Sequence, residues 1–100
     1  MDLFVVCAFE FKHEKNQDFR NAYAALANLG LKRDLVSETG QRFLLPTGIA
    51  AGALKSSRKS KLREDLCVQA KEAFAALGVE AEIFITVCGK WAWGYLYNGG

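Results

Sequence analysis

The chain has 100 residues, of which 51% are hydrophobic and 24% are charged, and its formal net charge is +2 at pH 7. This length predicts one domain, covering residues 1–100, with a small core that a partner subunit would help to complete. The nearly balanced charge excludes binding to nucleic acid by overall charge alone, so any basic site must be local.

The three cysteines, Cys7, Cys67 and Cys88, are far apart in the sequence and each lies in an apolar run. This spacing favours buried reduced thiols over a disulfide or a metal site. The chain starts with an acid at Asp2 where a secretory signal would carry bases, and it has no apolar stretch of about 20 residues. We therefore expect a cytoplasmic protein of a microbe or a phage, without a membrane segment.

Residues 3–11 predict a strand, because β-branched and aromatic side chains dominate and both alternating faces are apolar except at Glu10. Such a strand belongs at the centre of a covered sheet. Residues 12–16 predict a loop that ends in a helix cap at Asn16, with Asp18 in the first turn. One stripe of the following helix is apolar: Phe19, Ala22, Tyr23, Leu26 and Leu29.

Gly30 is suited to end this helix, and a short strand over residues 31–37 is expected next. Residues 38–41 predict a hairpin turn into a third strand over residues 42–47, which Pro46 ends or bulges. Residues 48–53 contain two glycines and three alanines, and we interpret them as a loop packed close to the sheet.

The second predicted helix begins at Ser57 or Ser60 and ends at Leu77, before Gly78. Its inward-facing residues follow spacings of three and four: Leu62, Leu66, Ala70, Ala73, Phe74 and Leu77. A fourth strand is expected over residues 82–88, and a last extended segment over residues 91–97.

The order of these elements, β-α-β-β-α-β, predicts an α+β ferredoxin-like sandwich with an extra C-terminal strand. The two helices end on similar sequences, at residues 27–31 and 75–79, which agrees with the internal symmetry of that fold. Right-handed crossovers would place the first and third strands side by side. A two-layer α+β fold with another strand order is the alternative.

Two residues are candidates for acid–base or metal chemistry, although no segment carries a specific catalytic motif. Glu10 is the one charge in the first strand, and its carboxylate could hold a hydrated magnesium ion. The commoner interpretation is that the strand emerges into solvent there. His13, the sole histidine, could act as an acid or base near neutral pH, but the sequence supplies no nucleophile for it to activate.

A basic cluster precedes and opens the second helix: Lys55, Arg58, Lys59, Lys61 and Arg63. A helix start already attracts anions, so these residues predict a phosphate or nucleic-acid site, with a plain solvated surface as the alternative.

The C-terminal segment alternates aromatic and small residues, which would point one set of rings to one face of a strand: Trp91, Trp93, Tyr95 and Tyr97. We expect these rings to contact a second subunit or to cover the core of this domain, rather than to stack on bases.

Several short motifs together resemble a group of small ferredoxin-like proteins. They are Phe9-Glu10-Phe11 at the end of the first strand, residues 42–47 after a hairpin, and Trp91-Ala92-Trp93-Gly94 after the closing strand. The chain resembles the proteins around the CRISPR adaptation endonuclease subunit and the GhoS-type antitoxin endoribonucleases. That resemblance implies a homodimer, often with an exchanged C-terminal strand, and a divalent metal at an acid after the first strand, here Glu10. The adaptation subunit usually has an aspartate at this position.

The leading hypothesis is therefore a homodimeric nucleic-acid-interacting protein of the toxin–antitoxin or phage-defence kind, acting as a metal-dependent endoribonuclease. Glu10 from two subunits would hold the cation, and the basic cluster would position phosphates. The rival is a non-enzymatic protein-interaction module, such as a phage-encoded antagonist or small regulator, that docks through its aromatic strand. A small-molecule sensor using the open sheet face is a third hypothesis.

Overall fold

The computed structural model describes residues 1–12 and 19–99 of the chain and has an α+β architecture. A three-stranded antiparallel sheet has the order β4-β1-β5, and β2 and β3 form a separate two-stranded hairpin. In chain order the elements are β1 (Asp2–Phe11), α1 (Phe19–Ala27), β2 (Asp34–Val36), β3 (Arg42–Leu44), β4 (Ile49–Lys55), α2 (Lys59–Ala76) and β5 (Ala81–Cys88).

The central position of β1 confirms the prediction made from its two apolar faces. Its odd-numbered side chains from Leu3 to Phe11 are all buried. Four of these, beginning with Val5, form one core cluster with side chains of both helices, so α1 and α2 cover the same face of the sheet. The even-numbered side chains form the outer face of the sheet, where Phe4 is buried and Glu10 is exposed.

Both helices end just before the predicted glycines, α1 three residues before Gly30 and α2 two residues before Gly78, and each glycine adopts a left-handed backbone conformation. The φ angle is 88° at Gly30 and 71° at Gly78, values that side-chain-bearing residues rarely adopt. The buried residues of α1 and α2 belong to the predicted stripes: Ala22, Tyr23 and Leu26 in α1, and Leu66, Ala70 and Phe74 in α2. The predicted helix cap at Asn16 and the first-turn Asp18 lie outside the described residues.

The interpretation of residues 48–53 as a loop is wrong, because most of this segment belongs to β4 and pairs with β1. The register places Gly52 opposite Val5 and Ala50 opposite Cys7. Residues 42–47, the expected neighbour of β1, instead contribute β3, which pairs with β2. Close packing explains the glycine at position 52, since a Cβ atom there would overlap the carbonyl oxygen of Gly30.

The prediction of an extra C-terminal strand is also wrong, since residues 89–99 contain no strand. Alternation alone does not make a strand, which needs a partner for its backbone groups. The segment instead follows the protein surface, and its side chains are held by ring contacts to Phe4 and Phe43. Within residues 1–12 and 19–99, no helix is long and apolar enough to span a bilayer.

Candidate functional site

The basic cluster lies where β4 leads into α2, and some of its charges are paired. Lys55 lies 3.3 Å from the carboxylate of Asp2, and Lys61 lies 2.8 Å from that of Asp65. Arg63 is 3.9 Å from Glu64, at the limit of an ion pair. For Arg58 and Lys59, the described part of the chain provides no carboxylate within ion-pair distance. Among the described residues, Arg58 and Lys59 therefore have no acidic partner, and Arg63 is only weakly paired.

The N-terminus of α2 is itself electropositive. Arg58 is the N-cap residue, and its extended backbone (φ −140°, ψ 121°) is not accompanied by a side-chain cap. The first turn contains no acidic residue. The unpaired N–H groups of a helix start carry a partial positive charge, so basic side chains there are unfavourable until an anion binds.

A groove extends from this helix start along the end of β5. It consists of two adjoining cavities of about 290 and 610 Å³ that share Lys59 and Val87 as lining residues. Within residues 1–12 and 19–99, the charged side chains that line it are all cationic: Lys59, Arg63 and Lys90. We call these two cavities the basic groove. Sequence reasoning missed the contribution of Lys90, because only the tertiary fold brings the end of β5 beside the start of α2.

Gly89 forms part of the wall of the basic groove. A Cβ atom on Gly89 would lie 3.3 Å from Cε of Lys59, so the absence of a side chain lets the lysine stem pack closely against the backbone. Trp91 follows two residues later and stacks on Phe4, with ring centroids 5.3 Å apart and an interplanar angle of 16°. The exposed fraction of Trp91 is 40%, so part of its ring faces solvent.

Glu10 lies near the end of β1, whereas the basic groove adjoins residues 85–88 of β5, which pair with residues 4–7 of β1. Asp2, the ion-pair partner of Lys55, lies eight positions from Glu10, which corresponds to about 26 Å along a strand. Glu10 faces Glu82 directly across the β1–β5 ladder, and the two line a cavity of about 420 Å³. The structure therefore does not bring Glu10 and the basic cluster together within one copy of the chain.

Lys12 stabilises the charge on Glu82. Its Nζ lies 2.6 Å from Oε1 of Glu82. This hydrogen bond and the opposite charge lower the pKa of Glu82 and raise the pKa of Lys12. In the described part of the chain, no group of three or more potential metal-ligating side chains occurs. His13 lies outside the described residues, so the structure does not test its predicted acid–base role.

The C-terminal aromatic residues mostly pack against this domain's own rings. Phe43 on β3 contacts both Trp93 and Tyr95, with ring centroids 5.9 and 5.1 Å apart. Tyr97 differs, because 78% of its surface is exposed. Phe43 carried no signal in the sequence analysis, since an aromatic residue in a short strand is unremarkable until its contacts are known.

The thiols differ in exposure, and the prediction of three buried cysteines holds fully only for Cys7. Cys67 is exposed and Cys88 is partly buried, and all three are free. Burial, with a smaller contribution from Cys67, raises the pKa of the Cys7 thiol to about 11. This thiol is therefore unreactive near neutral pH.

No family model, curated protein or solved structure matches this chain. The resemblance to the CRISPR adaptation subunit and the GhoS-type proteins accordingly stays a prediction. The described residues provide a cation-lined groove beside the start of α2 and, near the end of β1, the exposed carboxylates of Glu10 and Glu82.

Proposed function

We propose that this protein binds nucleic acid, and that the basic groove is its phosphate-contacting surface. The observation that carries the proposal is the cation-only lining of the groove beside an uncapped helix N-terminus. Phosphate groups would neutralise the lysine and arginine side chains and accept hydrogen bonds from the helix start.

A polyanion suits the groove better than a single phosphate. Lys59 and Arg63 are four residues apart on α2 and therefore lie on the same side of the helix. Lys90 adds a third charge at the far end of the groove, beyond β5. Several cations along one groove can engage successive phosphates, which releases condensed counterions and makes the affinity depend on salt.

We propose further that the fold is a ferredoxin-like sandwich with an added hairpin. The antiparallel bridge between Lys32 and Ala51 supports this, because it sets the segment before β2 beside β4. The spatial order β5, β1, β4 and then the segment at Lys32 matches the strand order of a βαββαβ sheet. The β2–β3 hairpin would then be an addition to this sheet. This assignment agrees with the resemblance noted from the sequence.

We also propose that two copies of the chain pair through the outer face of the sheet. Phe84 on this face is 66% exposed, and it lies opposite Ala8 in the β1–β5 register. Burial of such an apolar face would favour association. In this proposal the Phe84→Asp variant is monomeric by light scattering, whereas Val68→Asp on α2, at a side chain 55% exposed, pairs normally. An unpaired wild-type chain would contradict it.

Magnesium-dependent RNA cleavage at Glu10 is the catalytic part of the proposal. Its support is the exposed carboxylate beside Glu82, since magnesium needs only one or two protein oxygens and takes water and phosphate for the rest. Pairing would supply a second Glu10. The basic groove begins beside Ile85, which pairs with Cys7, three positions or about 10 Å along β1 from Glu10. The substrate would therefore have to span from the groove to this carboxylate or bridge two copies. A cytoplasmic location, where RNA is available, is part of the same proposal.

The rival function, a non-enzymatic protein-interaction module, is favoured by the exposed apolar side chains of the C-terminal segment. Leu96 and Tyr97 are 87% and 78% exposed. In that case a protein partner would protect this segment from proteolysis, and a Tyr97→Ala variant would lose the partner while nucleic-acid binding stayed at the wild-type level.

The test of the nucleic-acid proposal is the affinity of a fluorescent single-stranded RNA at two salt concentrations. We expect the Lys59→Ala/Arg63→Ala variant to bind at least about tenfold more weakly and with a shallower salt dependence. Lys71→Ala, which removes one exposed charge from the distant half of α2, is the control and should bind nearly as the wild type does. Equal binding by the double variant and the wild type would overturn the assignment of the groove.

A further inference from the structure

A second pocket, separate from the basic groove, lies between the β2–β3 hairpin and the C-terminal segment. Its volume is about 470 Å³, within the range of small-molecule sites. Its walls include four aromatic side chains: Phe43, Trp91, Trp93 and Tyr95. Among the residues that the structure describes, Glu38 is the one charged side chain that lines it, and none of the lining residues is basic.

The aromatic walls are held in place by their contacts. Phe43 meets Trp93 edge-on, at an interplanar angle of 78°, and meets Tyr95 at 31°. Trp91 is fixed from another side by its stacking on Phe4. The rings therefore line the pocket in several orientations, and their mutual contacts hold them without a ligand.

Hydrogen bonds of the hairpin turn position Glu38, the acidic residue in the pocket wall. The Ser37 N–H donates to the Gln41 carbonyl at 2.8 Å, and the Gly40 N–H donates to the Ser37 carbonyl at 2.9 Å. The hydroxyls of Ser37 and Thr39 hydrogen-bond to each other at 2.9 Å across Glu38. These bonds fix the backbone on both sides of Glu38.

We propose that this pocket binds an alkylated ammonium group. The faces of aromatic rings are electronegative and attract organic cations, and a carboxylate in the wall adds to this attraction. The same carboxylate disfavours nucleotides and other phosphates. A methylated ammonium suits the pocket better than a free amine, because the strongly hydrated amine would lose more hydration on entry. The group could belong to a free molecule such as choline or to a trimethylated lysine of a protein.

Intrinsic tryptophan fluorescence reports directly on this site, because both tryptophans of the chain line the pocket. The titration compares choline with 3,3-dimethylbutan-1-ol, which has the same shape and no charge. We expect choline to give a saturable change at a concentration at least about fivefold lower than the alcohol. A peptide with trimethyllysine, compared with its unmodified form, distinguishes a protein ligand from a free one.

Two variants, each with a matched control, test whether choline binds in this pocket. Phe43→Leu keeps both tryptophans and should weaken choline binding at least about fivefold, whereas Tyr97→Leu should not. Glu38→Gln, on an exposed turn, leaves the fold intact and should weaken binding several-fold, with Glu72→Gln on α2 unchanged. Equal affinity for choline and the alcohol would overturn the proposal. So would a preference for adenosine monophosphate, or no saturation with either ammonium ligand.

Discussion

Gly52 on β4 lies directly against the backbone carbonyl of Gly30, which closes the turn after α1. A Cβ atom at position 52 would overlap this oxygen, and a backbone atom cannot move aside as a flexible side chain can. The contact places the turn after α1 against the sheet. It therefore links the end of this helix to β4, the strand that pairs with β1.

We therefore expect Gly52→Ala to lower the free energy of unfolding by about 1 to 3 kcal/mol, the usual cost of overpacking. Gly94→Ala is the control, because nothing lies within 4 Å of the Cβ position there. Urea denaturation followed by circular dichroism measures both variants. Equal stability of Gly52→Ala and the wild type would mean that the two backbones are not in contact.

The side chain of Tyr23 is hydrogen-bonded to the turn before β4. Its hydroxyl accepts a buried hydrogen bond from the Gly48 N–H at 2.7 Å, and the Gly48 carbonyl in turn accepts one from the Phe9 N–H at 2.7 Å. Tyr23→Phe would leave a buried donor unsatisfied and should cost about 1 to 3 kcal/mol of stability. Tyr97→Phe, at an exposed ring, should change the stability by less than about 0.5 kcal/mol. Hydrogen exchange of the Gly48 amide should accelerate only in the Tyr23 variant.

Lys12 offsets the repulsion between Glu10 and Glu82, and this role predicts a pH dependence. The pKa of Glu82 is lowered in the folded state, so its contribution to stability is present at neutral pH and is lost as the pH falls through that lowered pKa. The pKa of Lys12 is raised, so the contribution is also lost at the alkaline end, as the pH rises through the raised value.

Lys12→Gln should consequently be less stable than the wild type at about pH 7, with the difference shrinking toward about pH 3 as the carboxylates become protonated. Thermal unfolding across this range measures the effect, and Lys71→Gln is the charge-matched control. A difference that does not change with pH would show that Lys12 acts through packing rather than through its charge.

Glu10→Gln tests the catalytic part of the proposed function. Removing the carboxylate should reduce magnesium-dependent RNA cleavage by about 100-fold or more, because the cation would lose its protein oxygen. Binding of RNA should stay near the wild-type level, since Glu10 does not line the basic groove. Glu72→Gln, an exposed acid on α2, should cleave normally. Cleavage by Glu10→Gln at the wild-type rate would eliminate Glu10 as a metal ligand.

The sequence predicted those parts of the fold that depend on local patterns. The two apolar faces of β1 and the glycines at positions 30 and 78 all had recognisable signals, and the structure confirms them. By contrast, β4 has a glycine and three alanines among its seven residues, which lowers the strand propensity that a sequence pattern can detect. The glycine reflects the contact between Gly52 and the Gly30 carbonyl, a relationship that only the tertiary structure reveals.

The candidate sites likewise combine residues that the sequence singled out with residues that only the fold brings near them. The basic cluster was visible because its members are close in sequence, but the groove needs Lys90, which lies 27 positions beyond Arg63. The aromatic residues of the C-terminal segment were visible too, yet their alternation indicated a strand. Their actual partner, Phe43, and the acidic neighbour Glu38 come from a hairpin about 50 residues away, and no local pattern links the two segments.

Opposite charges collect in two different parts of the sheet. Glu10, Glu80 and Glu82 surround Lys12 near the end of β1, and Lys59, Arg63 and Lys90 line the basic groove. These two groups set opposite charges apart along the sheet, even though the net charge of the chain is only +2. The field of a polyanion would attract one group and repel the other, which favours encounters in which the basic groove arrives first.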